Sequence, residues 1–139
     1  FPELKTYQQA CPMWVPLIEH GETENEGTAY FIQKYLDELL TTGQNIDTLL
    51  LACTHYPLLM PLLQKVVPPH IQILPQGKII AKSLKDYLCR HPEITSQLSA
   101  TGSRQFLTSG DADTFREIGD FFYGAKIGNR VKQVYNYRL

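Results

Sequence analysis

The sequence predicts an α/β fold with a mostly parallel sheet flanked by helices. Short apolar runs alternate along the 139-residue chain with longer segments whose apolar residues recur at helical spacing. This alternation favours a parallel sheet, because a helix is the usual crossover between parallel strands. The hydrophobic fraction of 43% and the charged fraction of 19% are those of an ordinary globular protein with a core.

The first half of the chain supplies the strongest element signals. Residues 10–19 are apolar and carry two prolines, which predicts a buried, irregular segment leading off a strand end. A helix is expected over 25–42, with Gly43 as its C-terminal cap. The continuous apolar run at 47–52 predicts a buried parallel strand.

Later elements follow from the same patterns. Pro57 or Pro61 is expected to open the helix after the strand at 47–52. Residues 91–103 are rich in Ser and Thr and predict a flexible loop. The remaining predicted elements are strands at 71–74, 105–108 and 131–135 and helices at 79–88 and 113–123.

Composition excludes several functions. The net charge is -1, with 13 basic and 14 acidic residues spread along the chain, so we expect no nucleic-acid partner. The apolar runs are too short to span a bilayer, and no secretory leader is recognisable. The first residue, Phe1, is not methionine, so we expect that residues precede it.

Three cysteines stand far apart in the sequence, at Cys11, Cys53 and Cys89. Their odd number and wide spacing predict neither a disulfide framework nor a zinc site of the common kind. The better interpretation is an intracellular chain in which one thiol has a chemical role.

The informative segment is residues 49–59, where the predicted strand ends at Ala52. A thiol, a hydroxyl and an imidazole follow at once, in Cys53, Thr54 and His55. Ligands of open α/β sheets bind beyond the carboxyl ends of strands, and the N-terminus of the next helix favours an anion there. A lone cysteine at a strand end is most often an inert apolar residue, but these neighbours favour a catalytic role for it.

The sequence Cys-Thr-His-Tyr-Pro-Leu-Leu at 53–59 closely resembles the second signature of glutamate racemases, with Ala52 where that family has Gly. Residues 10–19, Ala-Cys-Pro-Met-Trp-Val-Pro-Leu-Ile-Glu, resemble the family's Ala-Cys-Pro segment. A looser resemblance lies in Phe-Leu-Thr-Ser-Gly-Asp at 106–111. The three motifs stand in the family's order, and together they extend the resemblance over about residues 8–124.

This resemblance implies a two-lobed, pseudo-symmetric racemase fold, of which the chain holds one lobe and part of the other. Residues 1–75 would form most of the second lobe, and residues 76–139 would return to the first. Family members are about twice as long as this chain, and the segment with their other catalytic cysteine has no match here. We therefore expect a fragment that is inactive alone.

The resemblance also implies an activity and a set of site residues. Glutamate racemases interconvert L- and D-glutamate without cofactor or metal, and the D-isomer supplies peptidoglycan. Cys53 would be one of the two thiols that exchange the Cα proton, and His55 would tune or relay for it and contact the substrate. Thr54 would hold the substrate carboxylate. Glu19 matches an acid near that histidine, where a carboxylate would orient the imidazole.

Other positions depart from the family's pattern or have no catalytic match. Cys11 and Cys89 lie in contexts that imply structural or incidental roles. Pro75 stands before Gln76 and Gly77 where the family usually has an aspartate, which leaves the hydrogen bonding of that loop open.

Three alternatives remain open. An aspartate racemase or a related thiol-dependent isomerase would share the fold, although the Tyr-Pro-Leu-Leu continuation favours the glutamate enzyme. The isolated chain would also suit a non-catalytic, dimerising module. A thiol hydrolase using Cys53 and His55 is less favoured, because residues two apart on a turn need not face each other.

The expected setting follows from the same arguments. We expect a small-molecule substrate, glutamate, and no nucleic-acid or membrane partner. A lone lobe leaves a sheet edge and a cleft face exposed, so a homo-oligomer is expected. The resemblance implies a cytoplasmic location.

Overall fold

A computed structural model describes residues 2–43, 45–99 and 101–134. The chain divides into two compact units, Phe1–Tyr87 and Leu88–Leu139. Its elements are α1 (Trp14–Glu19), α2 (Glu26–Thr42), β1 (Thr48–Leu51), α3 (Met60–Val66), β2 (Gln72–Pro75), α4 (Gly77–Arg90), α5 (Pro92–Thr95), β3 (Phe106–Thr108), α6 (Ala112–Tyr123) and β4 (Val131–Gln133), with 3-10 helices at Tyr56–Leu59 and Gly128–Arg130. The assignment of residues 1–75 and 76–139 to two lobes of a larger fold stays a prediction.

The expectation of an irregular segment at residues 10–19 is wrong in part, because α1 forms a short helix there. Pro16 is the third helical residue, and the N–H groups of a helix's first turn have no intrahelical acceptor. A proline there therefore costs the helix no hydrogen bond. Trp14 and Ile18 are buried on one side of α1, and no strand precedes it within residues 2–13.

The predicted helix at 25–42 is confirmed as α2. Asn25 is its N-cap, and its side-chain oxygen accepts a hydrogen bond from the backbone N–H of Thr28 at 2.8 Å. Gly43 is the C-cap, as predicted, and its N–H donates to the carbonyl of Leu39. A Cβ at position 43 would stand 2.5 Å from Cδ1 of Ile46, so a larger residue there would make the Ile46 side chain shift.

Strands β1 and β2 pair in parallel, with Thr48 opposite Gln72 and Leu51 opposite Pro75. The N–H of Gln72 donates to Asp47, so by the period of two the N–H of residue 75 points away from β1. Pro75 therefore removes no donor from this ladder. The predicted strand is confirmed, but its burial is not: Leu51 is buried, whereas the side chain of Leu50 is 53% exposed.

Helices α1, α2 and α3 pack together to form the core of the first unit. The prolines at 57 and 61 both lie in the first turn of a helix, the 3-10 helix Tyr56–Leu59 and α3 respectively. The buried apolar side chains of this core are Trp14, Ile18, Ile32, Tyr35, Leu36, Leu39, Leu51, Leu59, Leu62, Leu63, Val67 and Ile71.

The second unit repeats the strand–helix–strand pattern on a smaller scale. Strands β3 and β4 pair in parallel, and α6 connects them. Asp111 caps α6 through the N–H of Thr114 at 2.7 Å, which lowers the pKa of the Asp111 carboxyl. The carboxylate of Asp120 accepts from the N–H of buried Ile127, also at 2.7 Å. The last predicted strand ended at Tyr135, which lies outside the described residues.

Two features of the second half differ from a fully packed α/β layer. Pro92 opens a single helical turn, α5, within the segment predicted to be a loop. Helix α4 confirms the predicted helix at 79–88, but none of its residues is buried. Ile79, Ile80 and Leu84 on this helix are each at least half exposed.

We predict that Ile32→Ala lowers the free energy of unfolding by about 2–5 kcal/mol, because Ile32 is fully buried and the truncation leaves a cavity. Ile80→Ala is the matched control in a second helix, and its side chain is 57% exposed. It should change the free energy by less than about 0.5 kcal/mol. Urea denaturation of both variants checks this, and equal losses would contradict the assigned core.

Candidate active site

Cys53 lies in the tight turn that follows β1. The N–H of Tyr56 donates to the carbonyl of Cys53 at 3.3 Å, and the N–H of Leu58 donates to that of His55 at 3.0 Å. The strand-to-helix junction predicted for this segment is therefore confirmed, with a 3-10 helix as the first helical turn. Cys53 is half-buried, and Thr54 beside it is exposed.

The thiol, an imidazole and a carboxylate form a row at this junction. Sγ of Cys53 lies 3.8 Å from Nδ1 of His55, and Nε2 of His55 lies 3.3 Å from Oε1 of Glu19. The side chain of His55 is 28% exposed and that of Glu19 is 48% exposed, so solvent reaches the carboxylate end. The structure thus brings together three of the residues that the sequence singled out.

The expectation that Cys53 and His55 need not face each other is wrong. The turn curls immediately after the strand, so side chains two residues apart point to the same side at contact distance. This removes the geometric objection to direct proton exchange between the two groups.

The row has a defined direction for proton transfer. When Nε2–H of His55 donates to Glu19, Nδ1 of the neutral imidazole carries the lone pair. That lone pair faces the Cys53 thiol and is able to take its proton.

Helix α1 holds one end of this row in place. Glu19 is its last residue, and Trp14, five residues earlier, packs edge-on against the ring of Tyr56 with centroids 4.7 Å apart. Tyr56 belongs to the turn that follows Cys53, so the same contact ties the helix to the turn. His20, which follows Glu19, has its Nδ1 2.8 Å from the carbonyl oxygen of Pro16.

Two residues near the thiol were not identified as site residues from the sequence. Tyr56 stands inside the Cys-Thr-His-Tyr-Pro motif, which by itself assigns this tyrosine no role. Gln76 donates from Nε2 to the carbonyl oxygen of Leu51 at 3.1 Å, across the two strands. The departure from the family pattern at Pro75 was the signal that this loop needed its hydrogen bonds accounted for.

Cys11 lies in a different environment from Cys53. Burial, and then the negative charge of Glu38, raise the pKa of the Cys11 thiol to about 11, although a hydrogen bond with Tyr56 acts the other way. Burial is also the largest cause of the raised pKa of Tyr56. Cys11 therefore stays a neutral thiol near pH 7, and Cys89 is exposed on α4 in the second unit.

A mainly apolar cavity of about 710 Å³ lies beside this site, among residues of α2, β1 and the N-terminal segment. Cys11, Ala52 and Tyr56 line it, whereas Cys53, His55 and Glu19 do not. The Cys53–His55–Glu19 row therefore faces a different surface from this cavity.

Residues 2–43, 45–99 and 101–134 hold no group of three or more His, Cys, Asp or Glu side chains that would hold a metal ion. Within the same ranges, no helix has both the length and the apolar character needed to cross a membrane.

Fold and site together define a parallel α/β protein with a thiol–imidazole–carboxylate row beyond the carboxyl end of a strand. No family model matches the chain. Glutamate racemases from Thermoanaerobacter sp. (strain X514) and Persephonella marina are 37% and 34% identical over 91% and 90% of this chain, which covers 46% and 44% of their lengths. A crystal structure of a glutamate racemase isoform from Bacillus anthracis matches 96% of this chain and 48% of its own, with a TM-score of 0.78 at 27% identity.

The chain belongs to the glutamate racemase family and corresponds to its C-terminal half. It spans about half the length of the curated relatives it matches. The family resemblance and the α/β class inferred from the sequence are both confirmed, with two-stranded parallel sheets in the described residues.

We predict that raising the pH destabilises the chain between about pH 9 and 11 through Cys11. The pKa of this thiol rises from 9.0 to about 11 on folding, so its stabilising effect is complete below pH 9 and is lost as the pH passes 11. Urea midpoints measured across this range check it. Cys11→Ser should reduce the loss, and exposed Cys89→Ser should not; equal behaviour of the two variants would refute the assignment.

Proposed function

We propose that this chain supplies one half of the active site of a glutamate racemase, with Cys53 as one of its two acid–base thiols. The observation that carries the proposal is the Cys53–His55–Glu19 row at the end of β1, in a chain that belongs to the glutamate racemase family. The reaction is the interconversion of L- and D-glutamate, which in this proposal needs no cofactor.

Inversion at Cα requires a base on one face of the substrate and an acid on the other. The Cys53 thiolate takes the Cα proton of one isomer, and a second thiol returns a proton to the opposite face. In the reverse direction Cys53 is the donor, so no proton is gained or lost over a cycle. His55, oriented by Glu19, holds or releases the proton of the Cys53 thiol through Nδ1.

The deprotonated substrate carries developing negative charge on its carboxylate, which nearby donors must stabilise. Thr54 is exposed next to Cys53, so its hydroxyl and backbone N–H are available for that carboxylate. Neither remaining cysteine suits the second thiol: Cys11 is held protonated by burial, and Cys89 stands in a sequence context with no catalytic match. We therefore place the second thiol in a part of the enzyme outside this chain.

The wider setting rests on the family alone. In this proposal residues 1–75 belong to one lobe of the intact enzyme, and residues 76–139 return to the other. D-glutamate made in the cytoplasm feeds peptidoglycan synthesis. Exposed apolar side chains such as Ile80 and Leu84 support association with a further polypeptide, including self-association into a homo-oligomer.

We predict that the 139-residue chain alone does not racemise glutamate, whereas a fusion with the N-terminal half of the Thermoanaerobacter relative does. In the fusion, Cys53→Ala should lower kcat by about 100-fold or more, because it removes one acid–base group. Circular dichroism of L- and D-glutamate solutions measures both results.

Cys89→Ala in the same fusion is the matched control and should keep the activity, because Cys89 is exposed and outside the row. A folded fusion with no turnover of either isomer would refute the proposal. Turnover by the 139-residue chain alone would mean that Cys11 or Cys89 supplies the second thiol.

We further predict that Cys53 deprotonates the L-isomer. In deuterated water, Cys53→Ser in the fusion should abolish exchange of the Cα proton of L-glutamate while exchange from D-glutamate continues. NMR of each isomer follows the loss of the Cα signal. Selective loss of exchange from D-glutamate would assign Cys53 to the opposite face.

A further inference from the structure

Gln76 lies where the chain leaves β2, and its side chain crosses to the neighbouring strand. Its Nε2 donates to the backbone carbonyl of Leu51 at 3.1 Å. Leu51 is the last residue of β1 and is 2% exposed, so its carbonyl lies at a buried strand end.

The backbone of Gln76 is also hydrogen-bonded. Its carbonyl accepts from the N–H of Ile80 at 3.0 Å, which joins it to the first turn of α4. Pro75, directly before it, has a fixed φ angle and pairs with Leu51 in the register of the sheet. The Gln76 amide is therefore presented to Leu51 from a stiff strand-to-helix junction.

Only Ala52 separates this anchored carbonyl from Cys53. On its other side, Cys53 is held by the hydrogen bond from Tyr56 N–H to its carbonyl. The distance of 3.8 Å between Sγ of Cys53 and Nδ1 of His55 is near the outer limit of a hydrogen bond to sulfur. A shift of a few tenths of an ångström at the end of β1 is enough to break it.

We propose that Gln76 is a positioning residue for Cys53: by holding the end of β1, it sets the separation between the Cys53 thiol and the His55 imidazole. The catalytic role of the Cys53 thiol rests on the proposed function. The placement of Cys53 by Gln76 does not, because it depends only on contacts within this chain.

The test is the coupling between Cys53 and His55, measured as the rate of Cys53 alkylation by iodoacetamide against pH. The full chain carries Cys11→Ser and Cys89→Ser, so that Cys53 is its one thiol. His55→Gln is then introduced with Gln76 present and with Gln76→Met, which has a similar shape but no donor. We expect His55→Gln to change the rate near pH 7 about fivefold with Gln76 and less than about twofold with Gln76→Met.

Two controls separate positioning from a general structural role. Gln76→Glu keeps the size but places an acceptor against the Leu51 carbonyl at neutral pH, so it should lose the coupling as Gln76→Met does. Urea midpoints of all chains set conditions in which each is folded. An unchanged His55 effect in both Gln76 variants, whatever their stability, would overturn the proposal.

If neither Gln76 variant folds, NMR of the isotope-labelled chain with Gln76 intact tests the proposal instead. A through-hydrogen-bond coupling between Nε2 of Gln76 and the carbonyl carbon of Leu51 supports the proposal, and its absence overturns it. None of these measurements depends on racemase activity. A chain with the expected Cys53–His55 coupling whose fusion does not racemise glutamate would refute the proposed function and leave the role of Gln76 standing.

Discussion

The parallel pairing of β1 with β2 is the constraint on which the candidate site depends. Parallel strands need a crossover, here α3, and the crossover places both carboxyl ends on one edge of the sheet. Cys53 leaves β1 at that edge and Gln76 leaves β2 there. An antiparallel pair would have put the thiol and the amide at opposite ends, and the bond from Gln76 to Leu51 would not exist.

The second constraint is the docking of α1 against the turn after β1. Trp14 packs on Tyr56, and this contact places Glu19 at the far side of the His55 ring. When Nε2–H of His55 donates to this carboxylate, the ring presents Nδ1 to the thiol. Packing in the core thus decides which nitrogen is basic, and the chemistry proposed for Cys53 follows from that choice.

The helices of this chain differ in how far their side chains are buried. Helices α1, α2 and α3 enclose a buried core beside the polar row, whereas no residue of α4 or α6 is buried. Relatives about twice as long offer a physical account of this contrast, because an intact enzyme would cover such faces. In the proposed function, the second thiol belongs to a part of the enzyme outside this chain.

The sequence alone determined the features that depend on neighbouring residues. These are the class of fold, the helix between Asn25 and Gly43, the strand before Cys53 and the family motif, because caps, periodicity and prolines act locally. The family resemblance placed Glu19 near His55, but only the tertiary structure decided the contact between Glu19 and Nε2 of His55, the turn that brings His55 onto the thiol, and the hydrogen bond by which Gln76 holds the strand end. Those contacts depend on strand register and helix docking, which join segments as far as 36 residues apart and leave no periodic signal in the sequence.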